Sequence, residues 1–244
     1  MFTYAIILLT LDARLWSMND PVSSVSSLGL PFEDCLLPGE MEEILPFCSL
    51  VNFERREVIF RQNTPASHIM FVRSGFAKIY KEGHNRRSVV LKIATPGEFL
   101  GLMSVYGGHL HQFSASSVQE SEIGFIDMGV FNRILRQNGE YSSKIIQVLS
   151  GDGLFIFERL MNQTHKQLPG RMASVILYFS EKIYKQPVFD FPLTRRELAE
   201  LAGTTKESFI RTLAEFRNDK IIDLEGSRVS INSMKILRTL NELG

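Results

Sequence analysis

The chain has 244 residues, 44% apolar and 22% charged, with a formal net charge of zero. That composition fits a globular protein of one large or two modest domains and excludes a disordered or membrane-embedded chain. Zero net charge gives no hint of nucleic acid, so a case for DNA must rest on where the basic residues sit.

Near the N-terminus, residues 4–11 are apolar but too few to span a bilayer. No positive charge precedes them, so they do not read as a signal peptide. Met18 then opens a polar stretch. Translation is expected to start there, with residues 1–17 an upstream extension; the alternative is a short helix packed on the body. No membrane partner is expected, and the location is expected to be cytoplasmic. Residues 23–29 are Ser-rich and read as a flexible lead-in. Two cysteines, Cys35 and Cys48, cannot supply a four-cysteine iron–sulfur cluster and lack zinc-site spacing. They read as ordinary thiols of a reducing compartment.

Pro38-Gly39-Glu40 predicts a short helix through Phe47. From 51 to about 126 the texture becomes short apolar runs, such as Val58-Ile59-Phe60 and Ile69-Met70-Phe71-Val72. Turn signals such as Asn63-Thr64-Pro65, Ser74-Gly75 and Thr95-Pro96-Gly97 separate them. Many closely spaced strands predict an all-β sandwich or barrel and leave no room for crossover helices.

A short helix follows over 128–137, with Asp127 as its N-cap. A long one is predicted over 141–165. Within it Ile146, Leu149, Gly153, Ile156 and Leu160 step by heptad spacing. Ile145, Val148, Leu154, Phe155, Phe157 and Met161 add apolar surface on other sides, so more than one face must be covered. The expected cover is the same helix of a partner subunit, with the five heptad residues as the dimer interface; the alternative is cover by the chain's own second domain. Gly151 and Gly153 leave room for a bend near 151–153. Pro169-Gly170 marks a domain boundary. Met172, Val175, Ile176 and Phe179 then form one helical stripe, and 187–192 is extended.

The decisive stretch is 193–231. Thr194-Arg195-Arg196-Glu197 is a capping box that opens a helix stopping at Gly203. Thr204-Thr205 open a second helix over about 206–218. Small Ala199 and Ala202 let the two helices approach closely, which is the helix-turn-helix pattern. The N-terminal end of such a second helix reads base edges in the major groove. Thr205, Lys206, Glu207, Ile210 and Arg211 lie there. Arg211 suits bidentate pairing with guanine, and Glu207 suits the cytosine amino group. Thr194, Arg195, Thr204, Arg217 and Lys220, with Lys206, are candidates for phosphate contact. Two apolar runs flank Glu225-Gly226-Ser227 as a hairpin wing, and a short helix closes the chain. The partner so implied is double-stranded DNA. A ligand-binding β-roll whose C-terminal domain docks protein is the alternative.

The whole order resembles the CRP/FNR family of transcription regulators over about 40–235. Gly75 and Pro96-Gly97-Glu98-Phe99-Leu100-Gly101 are similar to that family's turn glycines and binding cassette. Gly170-Arg171-Met172-Ala173 and 193–199 are similar to its DNA-domain motifs, and Glu207 and Arg211 match its base-reading Glu and Arg. The resemblance implies an α+β chain: an N-terminal double-stranded β-helix (jelly-roll) domain, a long dimerisation helix and a C-terminal winged helix-turn-helix. The implied domains are an N-terminal extension (1–30), the sensor (31–137), the dimerisation helix (138–168) and the DNA-binding domain (169–244). It further implies a homodimer on palindromic promoters, contact with RNA polymerase, and no enzyme activity.

The cassette departs from the family at two positions. Leu102 stands where a Glu would hold a ribose hydroxyl, and Phe113 where an Arg would neutralise a phosphate. Without that charge-assisted pair, burying an anionic nucleotide costs several kcal/mol, so cyclic AMP is not expected. The effector is unknown. Phe99, Leu100, Gly101, Leu102, Met103, Phe113, Ser114 and Ala115 are expected either to line an apolar ligand's pocket or to pack as plain core. Heme or metal is the weaker sensor reading. His68, His84, His109, His111 and His165 are available, but His109 and His111 sit in a Gly-rich loop where histidines are usually solvated, and no metal site is expected.

Overall fold

A computed structural model describes residues 28–83 and 88–244. The start at Met18, the apolar run 4–11, most of the Ser-rich lead-in and His84 lie outside the described residues.

The elements follow in chain order. Helix α1 (Pro38–Ile44) is succeeded by strands β1 (Cys48–Phe53), β2 (Val58–Phe60), β3 (His68–Ser74), β4 (Ala77–Glu82), β5 (Ser88–Ala94) and β6 (Phe99–Leu100). After α2 (Leu102–Gly107) come β7 (Ser114–Ser117) and β8 (Ser121–Asp127). Helices α3 (Met128–Gln137), α4 (Gly139–His165) and α5 (Leu168–Leu177) lead to β9 (Val188–Asp190). The chain ends with α6 (Arg195–Ala202), α7 (Lys206–Asn218), the hairpin β10 (Ile222–Glu225) and β11 (Arg228–Ile231), and α8 (Met234–Leu243). Three sheets result, ordered β1-β8-β3-β6, β2-β7-β4-β5 and β10-β11-β9. The mixed fold with a β-roll first and a winged helix-turn-helix last is the one expected.

The chain divides into two compact units, residues 1–77 with 94–149, and residues 78–93 with 150–244. In the first, β8 is central, antiparallel to both β1 and β3. Its Ile126 joins a core with Phe71, Phe99, Phe131 and Tyr141. The last three stack edge to face in series, Phe99 on Phe131 and Phe131 on Tyr141, each at 5.9 Å between ring centres. Asp127 caps α3 as the sequence indicates, its carboxylate accepting from the amides of Gly129 (2.8 Å) and Val130 (3.1 Å).

Helix α4 runs unbroken through Gly151 and Gly153. No break occurs there, because two glycines cost only about 2 kcal/mol of helix propensity in a 27-residue helix.

The turn between β3 and β4 depends on Gly75, at φ +78°. A Cβ there would lie 2.4 Å from the Glu120 carbonyl oxygen and 2.7 Å from the Ser121 Cα. Both are backbone atoms and cannot swing away. Gly75→Ala is therefore expected to destabilise the roll by about 3 kcal/mol or more, adding a left-handed penalty to a steric overlap. Urea unfolding of wild type and variant checks this; an unchanged midpoint would contradict the turn geometry.

In the second unit the core is aromatic. Phe179 meets Phe191 edge to face at 5.3 Å and stacks on Phe189 at 6.1 Å. Met172, Val175, Ile176 and Phe179 are all buried, as their spacing predicts. Strand β9 was legible only as extended chain; it pairs antiparallel with β11 and makes the wing three-stranded.

Candidate nucleic-acid interface

The capping box at the start of α6 is complete. The Thr194 amide donates to Glu197 Oε2 at 2.8 Å, and the Glu197 amide donates to Thr194 Oγ1 at 3.3 Å. Glu197 also receives Lys78 Nζ from β4 at 2.6 Å. Burial pulls the Glu197 carboxyl upward, but the bonds from Lys78 and Thr194 outweigh it and hold the group below the usual carboxylate range. Arg159 of α4 donates to the Leu201 carbonyl at 2.5 Å, fixing the other end of α6. Gly203 then stops α6 in the left-handed conformation, φ 65°.

Thr205 caps α7 by accepting from the Ser208 amide at 3.2 Å. Phe209, Thr212, Leu213 and Phe216 bury one face of α7, and Leu198, Ala199, Leu201 and Ala202 bury that of α6. The opposite face of α7 is open. Lys206, Glu207, Ile210 and Arg211 are exposed on it, and Thr205, the N-cap, is exposed at the N-terminal end of the helix.

The expected phosphate contacts divide. Arg217 and Lys220 are exposed beyond this face, and Lys206 lies on it. Arg195 is half-buried: its guanidinium donates to the Gly226 carbonyl of the wing turn and lies over the Phe191 ring at 5.6 Å. Thr194 and Thr204 are half-buried too, Thr194 by its capping role and Thr204 with its amide on the Ala199 carbonyl. Arg228, at the tip of β11, is exposed and was not singled out in the sequence, because a lone basic residue in a hairpin carries no pattern.

On α4, the apolar residues facing solvent are Ile146 (63% exposed), Leu154 (69%), Ile156 (44%), Phe157 (67%), Leu160 (55%) and Met161 (55%). At 100° per residue they fall on one broad stripe with Gly153. Leu149, also of the expected set, is half-buried and packs against the unit's own core. Leu154, Phe157 and Met161 lie on the same stripe as Ile146, Ile156 and Leu160. Only tertiary packing shows which side of α4 the first unit already covers.

In the cassette, Phe99, Leu100, Gly101, Leu102, Ser114 and Ala115 are buried, and Met103 and Phe113 half-buried. Leu102 belongs to the core cluster. His111, expected to be solvated, is 3% exposed, its ring stacked on Phe60 at 3.9 Å with Nδ1 unpartnered. His109 points the other way in character, exposed at φ 60°. The pair is split rather than convergent, and no group of three metal-ligating side chains occurs among the described residues.

Burial pushes the His111 pKa down to about 4. Below its ordinary value of 6.5, unfolded chains bind a proton that the folded roll excludes, so stability is full above pH 6.5 and falls toward pH 4. The loss is expected to reach about 2 kcal/mol by pH 5. Urea midpoints at pH 7 and pH 5 measure it, and His111→Phe should flatten the difference.

A family model for the cyclic nucleotide-binding domain matches residues 50–138, and one for the Crp-like helix-turn-helix domain matches residues 170–240. The chain belongs to the CRP/FNR family. Its members are transcription regulators, not enzymes, and this regulator carries their helix-turn-helix DNA-binding segment. It is 25% identical over 191 residues to the CRP-like cAMP-activated global transcriptional regulator of Mycobacterium tuberculosis, covering 77% of this chain and 85% of that one. FixK2 from Bradyrhizobium japonicum shares the fold with a TM-score of 0.74 at 18% identity, over 80% of this chain and 97% of that one. The c-di-GMP-responsive regulator CLP of Xanthomonas campestris does so at 0.69 and 21%, over 80% and 99%. No described helix is long and apolar enough to cross a membrane.

Proposed function

We propose that the regulator is a homodimer, paired through α4, that reads a two-fold symmetric promoter site with α7. Residues 31–137 serve as sensor, 138–168 as dimerisation helix and 169–244 as DNA-binding domain. The observation that supports the reading most is the division of α7 into a buried apolar face and an open face holding Lys206, Glu207, Ile210 and Arg211 together. Arg217 and Lys220, with Lys206, supply sequence-independent attraction to phosphates. Arg195 acts as a positioning residue, tying the wing turn to the first helix.

The sensor takes no cyclic nucleotide. Leu102 lies in the core and Phe113 stands 6.2 Å from Phe60, so neither a ribose acceptor nor a phosphate cation is present at those positions. The cassette is a packed core, and the effector belongs to another chemistry. Likeness to the family supports contact with RNA polymerase and a cytoplasmic location.

Fluorescence anisotropy on duplexes enriched from a random library tests the reading. Log K should fall linearly with log salt, each phosphate contact adding about −0.9 to the slope. A C-terminal domain that docks protein instead would give no salt-dependent duplex affinity and no enriched sequence.

A further inference from the structure

We propose that Ile210 reads the 5-methyl group of a thymine in each half-site. The inference rests on α7 entering the major groove and adds a base identity to it.

Ile210 is 45% exposed, although four other α7 side chains find full burial. It stands on the open face about one turn beyond Lys206 and Glu207, with Lys206 on one side of it and Glu207 and Arg211 on the other. A β-branched residue there is a poor choice for a free helix surface. It costs a few tenths of a kcal/mol of propensity against alanine and leaves a large apolar group in water. Its χ1 is stiff, so it loses little freedom when it docks.

The neighbours define what it can meet. Arg211 supplies donors that suit guanine, and Glu207 supplies acceptors that suit the cytosine amino group. Neither is matched to the thymine edge of a T·A pair. Among base edges in the major groove, the thymine methyl is the one apolar group. An isoleucine pressed instead on a purine N7 or a cytosine amino group would strip that polar atom of water and return no hydrogen bond. The geometry therefore assigns a T·A pair to Ile210, adjoining the pairs read by Glu207 and Arg211.

The test uses the full-length protein and a duplex enriched by it from a random library. Each thymine in the half-sites is replaced in turn by deoxyuridine, which keeps every hydrogen-bonding group and loses only the methyl. Wild type should lose affinity at one symmetric position, about 4-fold per half-site and about 15-fold with both replaced, the worth of one buried methyl group. Ile210→Ala should bind the thymine duplex weaker by at least that factor and should not distinguish uridine from thymine there. Ile210→Val should keep part of the discrimination. Circular dichroism confirms that the alanine variant is folded.

A wild-type protein indifferent to uridine at every position, or an alanine variant that still discriminates, overturns the assignment to Ile210 and leaves groove reading intact. Failure to enrich any duplex removes groove reading and the assignment together.

Discussion

Phe157→Glu/Leu160→Glu is expected to be a folded monomer that has lost nearly all specific DNA affinity. Both side chains are more than half exposed in the single chain, so removing them leaves the chain's own core intact. In the proposed seam they face their copies. Burying each large apolar side chain contributes about 1.5–3 kcal/mol. The double change removes four such groups per dimer and places four carboxylates in the seam. An unpaired buried charge costs several kcal/mol, so association at micromolar concentration should be abolished. A monomer also loses the effective-concentration gain of binding two half-sites at once, a factor of about 10² to 10⁴. Sedimentation velocity and anisotropy on the enriched duplex read the two effects, and near-ultraviolet circular dichroism reports on the fold. A variant that sediments as a dimer would place the seam elsewhere on the surface.

Arg211→Ala should weaken specific binding and relax the sequence preference at one base pair per half-site. The bidentate contact to guanine is worth about 1–3 kcal/mol. Two half-sites act independently, so the full site should lose about 2–6 kcal/mol. Arg211 is exposed, and stability should not change. Lys220→Ala offers the contrast: its loss should be uniform across sequences and should reduce the salt slope. If Arg211→Ala keeps both affinity and preference, α7 does not dock as proposed.

Much of this was legible because its causes are local. The Thr194–Glu197 capping box, the Gly203 stop, the Thr205 cap and the Asp127 cap each involve residues within four positions of one another. Their physics is complete within one turn of chain. The short-strand texture of the roll and the buried stripe of α5 follow from periodicity.

The misses share the opposite property. His111 looks like loop histidine until Phe60, fifty-one positions away, covers its ring. That Leu149 packs against the roll's core is likewise not visible from its own helix. Nor does the sequence show that the wing turn, thirty-one positions on, presents the Gly226 carbonyl to Arg195.

The sequence by itself determined which segments are strands and helices, where α6 and α7 begin and end, and which residue types stand on the reading helix, because hydrogen bonding and side-chain period act over a few residues. Only the tertiary structure decided which faces are spent on the chain's own core and which remain open. Burial is a property of packing between distant segments, and a residue's own neighbours in the chain do not carry it.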